Sequence, residues 1–362
     1  MRTGSIDGIL GMGGFQTIYD SGELASAQTS ITISNLDGDN DKEYFLIARI
    51  INGYNGGTFY YARPNNDSGS NYGFQMIRGA DSTTYASRFE SDSLSDIGYS
   101  ASLNSLTLSE TLLYAKSGYI RTAITKLAQS IVTTTVTGIK LTGQVWNNTA
   151  DNITSLVIFA DQSNGFGIGS RIILMKKSNS TSKMKTGNLN VQGKVKGTFQ
   201  KIYKTTLTSA ATSVTISGLD GNTDQLYRLK VRHISNAASS NCGIRPNNDS
   251  TANIYGVQDL NGTNTTSQAA RTTYNLGYFG YNASASGNIC LYDMLLYAKS
   301  GYIRTALVDY TENIATTTVN DIGIKGMAYN ETATNITSLV ILNNNTDGLG
   351  IGTVIELEAY RS

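Results

Sequence analysis

One twelve-residue segment occurs twice in this chain. Residues 112–123 read Leu-Leu-Tyr-Ala-Lys-Ser-Gly-Tyr-Ile-Arg-Thr-Ala, and residues 295–306 repeat them letter for letter. The copies are 299 − 116 = 183 residues apart, about half of the 362-residue chain. Solenoid repeats recur about every 20–50 residues, so a period this long indicates a duplicated domain. The sequence therefore predicts two similar domains in tandem, and a site used by their common ancestor is expected in both halves.

Charge and composition narrow the class of protein. The 28 Lys and Arg side chains almost cancel the 27 Asp and Glu, so we expect no electrostatic binding to nucleic acid or to an anionic membrane. Thr and Tyr, which suit strands, and Asn and Gly, which suit turns, are abundant. No apolar run approaches the ~20 residues of a membrane helix, and the start lacks the apolar core of a secretory signal. We therefore expect a soluble all-β protein that is made in a cytoplasm.

Alternating apolar and polar residues mark the strands. Residues 30–34 read Ser-Ile-Thr-Ile-Ser and residues 213–217 read Ser-Val-Thr-Ile-Ser, each with one apolar face. Both runs lead through Leu-Asp-Gly into a second strand-like segment, a pattern that predicts a hairpin turn. Arg-Pro-Asn-Asn-Asp-Ser follows at 63–68 and again at 245–250. Its proline and asparagines predict a turn or a strand exit.

The repeated twelve-residue segment is itself predicted to form a hairpin, with Lys116, Ser117 and Gly118 at the tip. A helix over residues 111–127 is the competing interpretation, because Ala and Leu favour helices. Gly118 in the middle favours the hairpin. Roughly eight to ten short strands per half, separated by turn signals, predict two tandem antiparallel β-sandwich domains of the jelly-roll type.

The domain boundaries follow from the repeat and from a polar connector. We place the first sandwich at residues 1–178, including a short glycine-punctuated N-terminal segment. A linker and lead-in strand are predicted at residues 179–198, and the second sandwich at 199–362.

Catalytic residues are not expected. The only histidine is His233, whose counterpart in the first half is Ile50, so a Ser-His-Asp or Cys-His arrangement cannot be built twice. Cys242 and Cys290 also lie in the second half alone, and we interpret them as small buried thiols, with their pairing left open. We therefore predict neither enzyme activity nor a cofactor.

Carboxylates that recur in both halves are the remaining candidates for a glycosidase pair. They are Asp37 with Asp220, Asp41 with Asp224, Asp67 with Asp249, and Glu110 with Asp293. The first three pairs lie in predicted turns, where Asp accepts hydrogen bonds from the local backbone, so we assign them structural roles.

Alternating acids also make one candidate calcium site, because carboxylates are the hard oxygen ligands that calcium prefers. The candidate ligands are Asp37, Asp39 and Asp41 in the first half, and Asp220, Asn222 and Asp224 in the second. In an EF-hand loop the sixth position is Gly and the twelfth is Glu, but this chain has Lys42 and Ala48 there. We therefore predict a hairpin turn and no metal.

A recurring set of arginines and tyrosines is the candidate ligand-binding site. Arginine pairs with carboxylates and stacks on tyrosine rings, so these residues can form either a structural network or a groove for sugar rings. The candidates in the two halves are Arg63 with Arg245, Tyr72 with Tyr255, and Arg88 with Arg271.

The glycine-punctuated stretches resemble proteins of tailed bacteriophages. Thr-Gly-Asn-Leu-Asn-Val-Gln-Gly-Lys-Val-Lys-Gly at 186–197 resembles the short strands that lead into head domains of phage fibres, and residues 3–11 look like a worn copy. The combination of Leu-Asp-Gly, Arg-Pro-Asn-Asn-Asp-Ser, the repeated segment and a terminal Gly-Ile-Gly strand is similar to modules of phage virion proteins.

That resemblance implies a non-enzymatic structural protein on the virion surface, assembled in the host cytoplasm. It implies other virion proteins as partners, a homo-oligomer that matches a symmetric position on the particle, and contact with host-surface glycans. A tail- or fibre-associated adhesin is the first reading. A capsid decoration or head-fibre protein, and a free pair of carbohydrate-binding modules, stay open as alternatives.

Overall fold

The computed structural model describes residues 15–177 and 197–361, apart from residues 237–239, 264–265, 283–286, 315–318 and 320. Strands dominate the described residues, and the helices among them are two single turns of four residues each. The predicted all-β fold is confirmed. The predicted N-terminal segment and almost all of the predicted linker at 179–198 lie outside the described residues. In the described part, no helix is long and apolar enough to cross a membrane.

The first domain contains twelve strands and one helical turn. They are β1 (Phe15–Asp20), β2 (Ser30–Ser34), α1 (Gly38–Asp41), β3 (Glu43–Ile51), β4 (Thr58–Pro64), β5 (Tyr72–Ala80), β6 (Thr83–Asp92), β7 (Ser95–Ser100), β8 (Leu106–Tyr114), β9 (Arg121–Val132), β10 (Thr135–Trp146), β11 (Ser155–Ala160) and β12 (Arg171–Lys177).

The second domain repeats this order of elements. They are β13 (Thr198–Thr206), β14 (Ser213–Ser217), α2 (Gly221–Asp224), β15 (Leu226–Ile234), β16 (Ser240–Pro246), β17 (Tyr255–Thr263), β18 (Thr266–Tyr274), β19 (Gly277–Asn282), β20 (Ile289–Tyr297), β21 (Arg304–Ile314), β22 (Asp321–Tyr329), β23 (Ser338–Asn343) and β24 (Val354–Arg361).

Each domain is a jelly roll whose larger sheet has been extended. In the first domain the small sheet has the order β2-β11-β4-β7, and the large sheet begins β1-β12-β3-β8. These two four-strand orders are those of a jelly roll, with two interlocked Greek keys. The large sheet continues as β9-β10-β5-β6, strands supplied by insertions after β8 and after β4, and the second domain has the same topology. The predicted tandem β-sandwich is therefore confirmed, and the insertions account for strands beyond the predicted number.

The core of each sandwich follows from the alternation in the sequence. In β2, Ile31 and Ile33 are buried between the two sheets, whereas the Ser and Thr residues between them face outward. The apolar residues Leu46, Ala48 and Ile50 of β3 pack against them from the large sheet. The second domain builds the equivalent core around Leu229, Val231 and Ile341, among others.

The predicted Asp-Gly hairpins are wrong. β2 lies in the small sheet and β3 in the large one, so the two strands are not paired. Between them α1 carries the chain from one sheet to the other, with Asp37 accepting a hydrogen bond from the backbone N–H of Asn40. Asp220 caps α2 in the same way. The local signal marked a reversal of the chain correctly, but it could not tell a hairpin from a change of sheet.

The hairpin predicted for the repeated segment is confirmed. β8 and β9 pair antiparallel, with Leu112 opposite Ile124 and Tyr114 opposite Thr122. Gly118 lies in the connection with φ +84°, a conformation that favours glycine. The competing helix over 111–127 is wrong. The predicted strand exit after β4 is also confirmed, because Asn65 and Asn66 follow Pro64 with φ of +52° and +53°.

The two domains pack against each other through the outer faces of their large sheets. A shared hydrophobic cluster contains Phe45, Ile47 and Met175 of the first domain, together with Tyr297 and Leu307 of the second. Residues from both domains are therefore buried in one interface. This contact brings together residues that are far apart in the sequence. The interface between the domains was not predicted from the sequence.

Candidate functional site

The tyrosines proposed for a ligand groove are core residues. Tyr72 and Tyr255 are 2% and 1% exposed, because alternation at the start of β5 and β17 turns both side chains inward. Tyr72 stacks on Trp146 with ring centroids 6.4 Å apart, and Tyr255 stacks on Tyr329 at 4.8 Å. Each hydroxyl donates to a backbone carbonyl at the preceding turn. Burial and stacking of both tyrosines favour the structural network over the ligand groove.

Two of the predicted ligand-binding arginines, Arg88 on β6 and Arg271 on β18, have different partners. Arg88 forms an exposed ion pair with Glu90 at 3.1 Å. Arg271, its counterpart, pairs with Asp81 of the other domain. In the described part of the chain, the ion pairs of Arg88 and Arg271 are with carboxylates and not with the buried tyrosine of the same half.

Arg63 and Arg245 keep one contact in common. The Nε of Arg63 donates to the carbonyl of Ser93 at 2.9 Å, and the Nε of Arg245 donates to the carbonyl of Asn275 at the same distance. Only Arg63 also lies over an aromatic ring, with its Cζ 4.4 Å from the centroid of Phe159. That ring belongs to the best candidate for a functional site among the described residues.

The candidate site, here called the aromatic strip, consists of Phe59, Tyr61, Tyr99, Phe159 and Arg63 on the outer face of the first domain's small sheet. Phe59 lies between Tyr99, at 4.7 Å, and Tyr61, at 6.2 Å between ring centroids. Tyr61 then contacts Phe159, with ring centroids 5.5 Å apart, and the guanidinium of Arg63 lies over the Phe159 ring. Four rings and one guanidinium thus form a continuous row.

Strand alternation and register place these residues together. In β4 the side chains of Tyr60 and Ala62 are buried, so Phe59, Tyr61 and Arg63 project to the outside. The neighbouring strands add one ring each, since Phe159 of β11 lies opposite Tyr61 and Tyr99 of β7 lies opposite Phe59. The row therefore crosses three strands of one sheet.

The surroundings of Tyr61 keep its hydroxyl neutral. Burial, and then the negative charges of Asp161 and Asp96, raise the pKa of Tyr61 above its ordinary value. Its hydroxyl is therefore a hydrogen-bond donor and acceptor across the physiological pH range. Asp161 is exposed beside the strip and accepts a hydrogen bond from the backbone N–H of Phe59 at 3.0 Å. A row of rings beside polar groups can hold a molecule with apolar C–H faces and hydroxyl groups.

The second domain does not repeat this row. Asn241 and Gly243 occupy the β16 positions of Phe59 and Tyr61, and Leu342 of β23 lies opposite Gly243. The strip is thus a feature of one half only. The requirement that a site recur in both halves therefore excluded it. The signal that could have revealed it is the aromatic run Phe-Tyr-Tyr at residues 59–61 in an alternating strand.

The candidate calcium ligands of the first half accept hydrogen bonds from other protein groups. The carboxylate of Asp37 accepts from Asn152 at 3.0 Å, and that of Asp39 accepts from the backbone N–H of Ser117 at 2.7 Å. Asp41 accepts from Tyr44 at 2.9 Å and from Lys176 at 2.8 Å. These hydrogen bonds lower the pKa of Asp37 and of Asp39. The three carboxylates support the turn and the strands around it.

The three equivalent residues of the second half also accept hydrogen bonds from neighbouring protein groups. Asp220 caps α2, the side chain of Asn222 accepts from the backbone N–H of Ser300 at 2.8 Å, and Asp224 accepts from Tyr227 at 2.9 Å. Across the described ranges, no group of three or more His, Cys, Asp or Glu side chains is arranged to hold a metal ion.

The single histidine and the fourth pair of recurring carboxylates, Glu110 and Asp293, are buried and have polar partners. His233 is fully buried, and its Nε2 donates to the carbonyl of Gly348 at 3.1 Å. Burial lowers the pKa of this imidazole, so it is neutral. Glu110 pairs with Lys126 at 2.9 Å, and Asp293 forms a two-pronged pair with Arg228 at 2.9 and 2.7 Å.

The two cysteines are buried and are not joined in a disulfide, which answers the question of their pairing. Burial raises the pKa of Cys242, so its reactive thiolate form is suppressed. We expect the native protein to show almost no reaction with a disulfide reagent such as DTNB at pH 8. Both thiols should react after unfolding in guanidinium chloride. Rapid release of the thiol chromophore from native protein would contradict their burial.

Comparisons with known proteins assign no family to the chain. No protein-family model and no curated protein matches it. Solved structures that resemble it include domains LG4–5 of the mouse laminin α1 chain, at 10% identity and a TM-score of 0.20, covering 95% of this chain and 89% of that one. The LG1–3 region of the laminin α2 chain aligns at 7% identity and a TM-score of 0.21, covering 93% and 66%. Likenesses this low do not assign a function.

Proposed function

We propose that this chain is a non-enzymatic structural protein on the surface of a tailed-phage virion, tail- or fibre-associated, which contacts host-surface glycans through the aromatic strip. The observation that carries the glycan part is the row of four rings and Arg63 on an outward sheet face. Aromatic faces pack on the apolar C–H surfaces of sugar rings, while the flanking polar groups bind hydroxyls.

The rigid scaffold supports this proposal. The rings lie on adjacent strands of a sheet whose other face is packed into the sandwich core, so their spacing is fixed before a ligand arrives. Jelly rolls occur in viral capsid and lectin domains, although a fold by itself does not determine a function. The virion assignment rests on the sequence resemblance.

Exposed apolar residues support a role in assembly. In the first domain's copy of the repeated segment, Tyr114, Tyr119, Ile120 and the adjacent Ile124 are all exposed. Exposed patches of this kind are typical of contacts with other proteins. A homo-oligomer or a neighbouring virion protein would cover this surface.

Glycan binding is tested by removing one ring of the strip. Phe59→Ala and Tyr61→Ala should each weaken binding to a glycan found on an array about tenfold, since aromatic contacts contribute about 0.5–1.5 kcal/mol beyond the buried area. Phe89→Ala is the matched control, because Phe59 and Phe89 are both 44% exposed but lie on different sheets. Titration calorimetry with the selected glycan gives the affinities. Unchanged binding in both strip variants would exclude the strip as the glycan site.

The virion part has its own test, which separates it from a free pair of carbohydrate-binding modules. A virion protein should co-sediment with purified particles from which it has been stripped, or should self-associate in analytical ultracentrifugation. A monomer that binds glycan and no particle would favour the free modules. Attachment to heads rather than tails, seen with gold-labelled protein in the electron microscope, would favour the capsid alternative.

A further inference from the structure

The two domains enclose a cleft on one side of their interface. It has a volume of about 440 Å³. The first domain contributes Ile77, Leu141 and Lys126, while the second contributes a wall of aliphatic and acidic side chains. The aliphatic part of that wall consists of Leu260, Leu291, Ile322 and Ile324. This size falls within the range of small-molecule binding sites, which are mainly apolar with a few placed polar groups.

The cleft exists because the two large sheets are not equally covered. Ile139 and Ile322 occupy equivalent positions in the two domains, yet Ile139 is fully buried and Ile322 is 64% exposed. Ile139 packs in the shared interface cluster. Ile322 does not belong to that cluster of described residues and lines the open space instead. A large aliphatic side chain is therefore presented to solvent inside a concavity.

Charged groups in and beside the cleft leave one carboxylate in excess. Lys126 pairs with Glu110 at 2.9 Å and also with Asp309 of the other domain. Asp293 is matched by Arg228. Three carboxylates thus share two cations in this cluster. Asp309 is the carboxylate most open to the cleft, with its side chain 41% exposed.

Asp309 has capacity for a further cation. Its Oδ2 accepts from Lys126, and within the described ranges its Oδ1 has no hydrogen-bond partner. Burial by the surrounding protein, despite the attraction of Lys126, raises the pKa of this carboxyl. A second positive charge beside it would stabilise the ionised form.

We propose that the cleft binds an amphipathic organic cation, an aliphatic chain with one terminal ammonium group. The ammonium group lies against Asp309 and completes the charge balance of the cluster. The chain lies along Leu141, Leu260 and Ile322, which remove its methylene groups from water. This site is independent of the aromatic strip, which lies on the small sheet of the first domain.

Three ligands of one chain length test the proposal in titration calorimetry with the full chain. Octylamine should bind at least tenfold more tightly than octanol, and octanoate should bind most weakly. Asp309→Asn should remove the preference for the amine and leave octanol binding unchanged. Asp347→Asn is the control, since it removes the same charge from an exposed loop of the second domain. Ile322→Trp, at an exposed cleft position, should weaken all three ligands by filling the space.

The contrary results are equally definite. Equal affinity for the amine and the alcohol, a preference for the amine that survives Asp309→Asn, or no binding of any of the three would overturn the site. Failure here would leave the glycan and particle experiments unaffected, since the strip variants do not touch the cleft.

Discussion

Replacing Tyr297 by Ala is expected to lower the free energy of unfolding by about 3–5 kcal/mol, the range for deleting a large buried aromatic side chain. The same change at Tyr114, the equivalent residue of the repeated segment, should cost no more than about 0.5 kcal/mol, as surface substitutions generally do. Tyr297 is 1% exposed and Tyr114 is 46% exposed, although the twelve residues around them are identical.

The difference arises from what the first domain places against Tyr297. The guanidinium of Arg49 lies 4.1 Å from the centre of its ring. Its hydroxyl donates to the carboxylate of Glu23 at 2.8 Å, and Lys299 pairs with the same carboxylate. Removing the side chain leaves a cavity between the domains and leaves the guanidinium of Arg49 stacked on Tyr302 alone. The equivalent surface around Tyr114 has no domain packed against it.

Urea unfolding followed by circular dichroism measures both variants, and Tyr297→Phe separates the hydroxyl from the ring. Loss of the hydroxyl alone should cost about 1.5–3 kcal/mol, as for a hydrogen bond to a charged group. The pair Tyr297→Ala and Tyr114→Ala is self-controlled, because the local sequence is the same. Equal losses at the two positions would show that the domains do not pack in this way in solution.

Strand positions could be predicted from the sequence because they depend on local alternation. The Ser-Ile-Thr-Ile-Ser pattern of β2 gave its buried face correctly, and Gly118 marked the turn between β8 and β9. Sheet membership depends on long-range pairing, which a turn signal does not contain. Leu-Asp-Gly therefore predicted a reversal of the chain and missed the change of sheet at α1.

The candidate site was predicted only in part, for a different reason. Requiring a site in both halves selected Tyr72 and Tyr255, which recur because both domains need the same packed core. The same requirement kept Arg63 but discarded Phe59 and Tyr61, which one half alone contains. A duplicated fold preserves its core in both copies, whereas a surface can change in one copy without cost to the other.

The domain interface is reflected in the sequences of two equivalent strands, β3 and β15. In β3 the run Glu-Tyr-Phe-Leu-Ile-Ala-Arg-Ile-Ile is apolar on both faces, while β15 has Arg228, Lys230 and Arg232 on its outward positions. A strand with two apolar faces is covered on both sides. Comparing the two halves position by position would have indicated that the first domain has a second buried face.

Lys126 forms ion pairs both within its own domain and across the domain interface. Lys126 and Asp309 are 183 residues apart and so occupy equivalent positions in the two domains. Their side chains are also in contact across the interface. Burial alone would raise the pKa of Glu110, but the positive charges of Lys126 and then Arg228 outweigh it and hold this pKa below the ordinary value. Lys126 thus neutralises a buried carboxylate within its own domain and links the two domains.

Lys126→Met is therefore expected to destabilise the protein by about 3 kcal/mol at pH 7, the low end of the range for breaking a buried ion pair by removing one partner. Lys177→Met is the control, because Lys177 pairs with Glu43 at the surface and should contribute at most about 1 kcal/mol. The loss in Lys126→Met should shrink as pH falls below the unfolded-state pKa of Glu, about 4.3. A lowered folded-state pKa contributes its full stabilisation above that value, and the contribution is lost progressively as pH falls through the folded-state pKa.

A second substitution distinguishes two causes of the destabilisation, the loss of the lysine charge and the loss of its packing contacts. Adding Glu110→Gln to Lys126→Met removes the carboxylate that the lysine had neutralised, so urea unfolding should show at least half of the lost stability restored. Asp309 is still exposed to the cleft in this double variant, so water can solvate its charge. Replacing Glu110 alone is therefore expected to restore stability, without a second substitution at Asp309. A double variant as unstable as Lys126→Met would mean that the lysine stabilises the interface through its aliphatic stem.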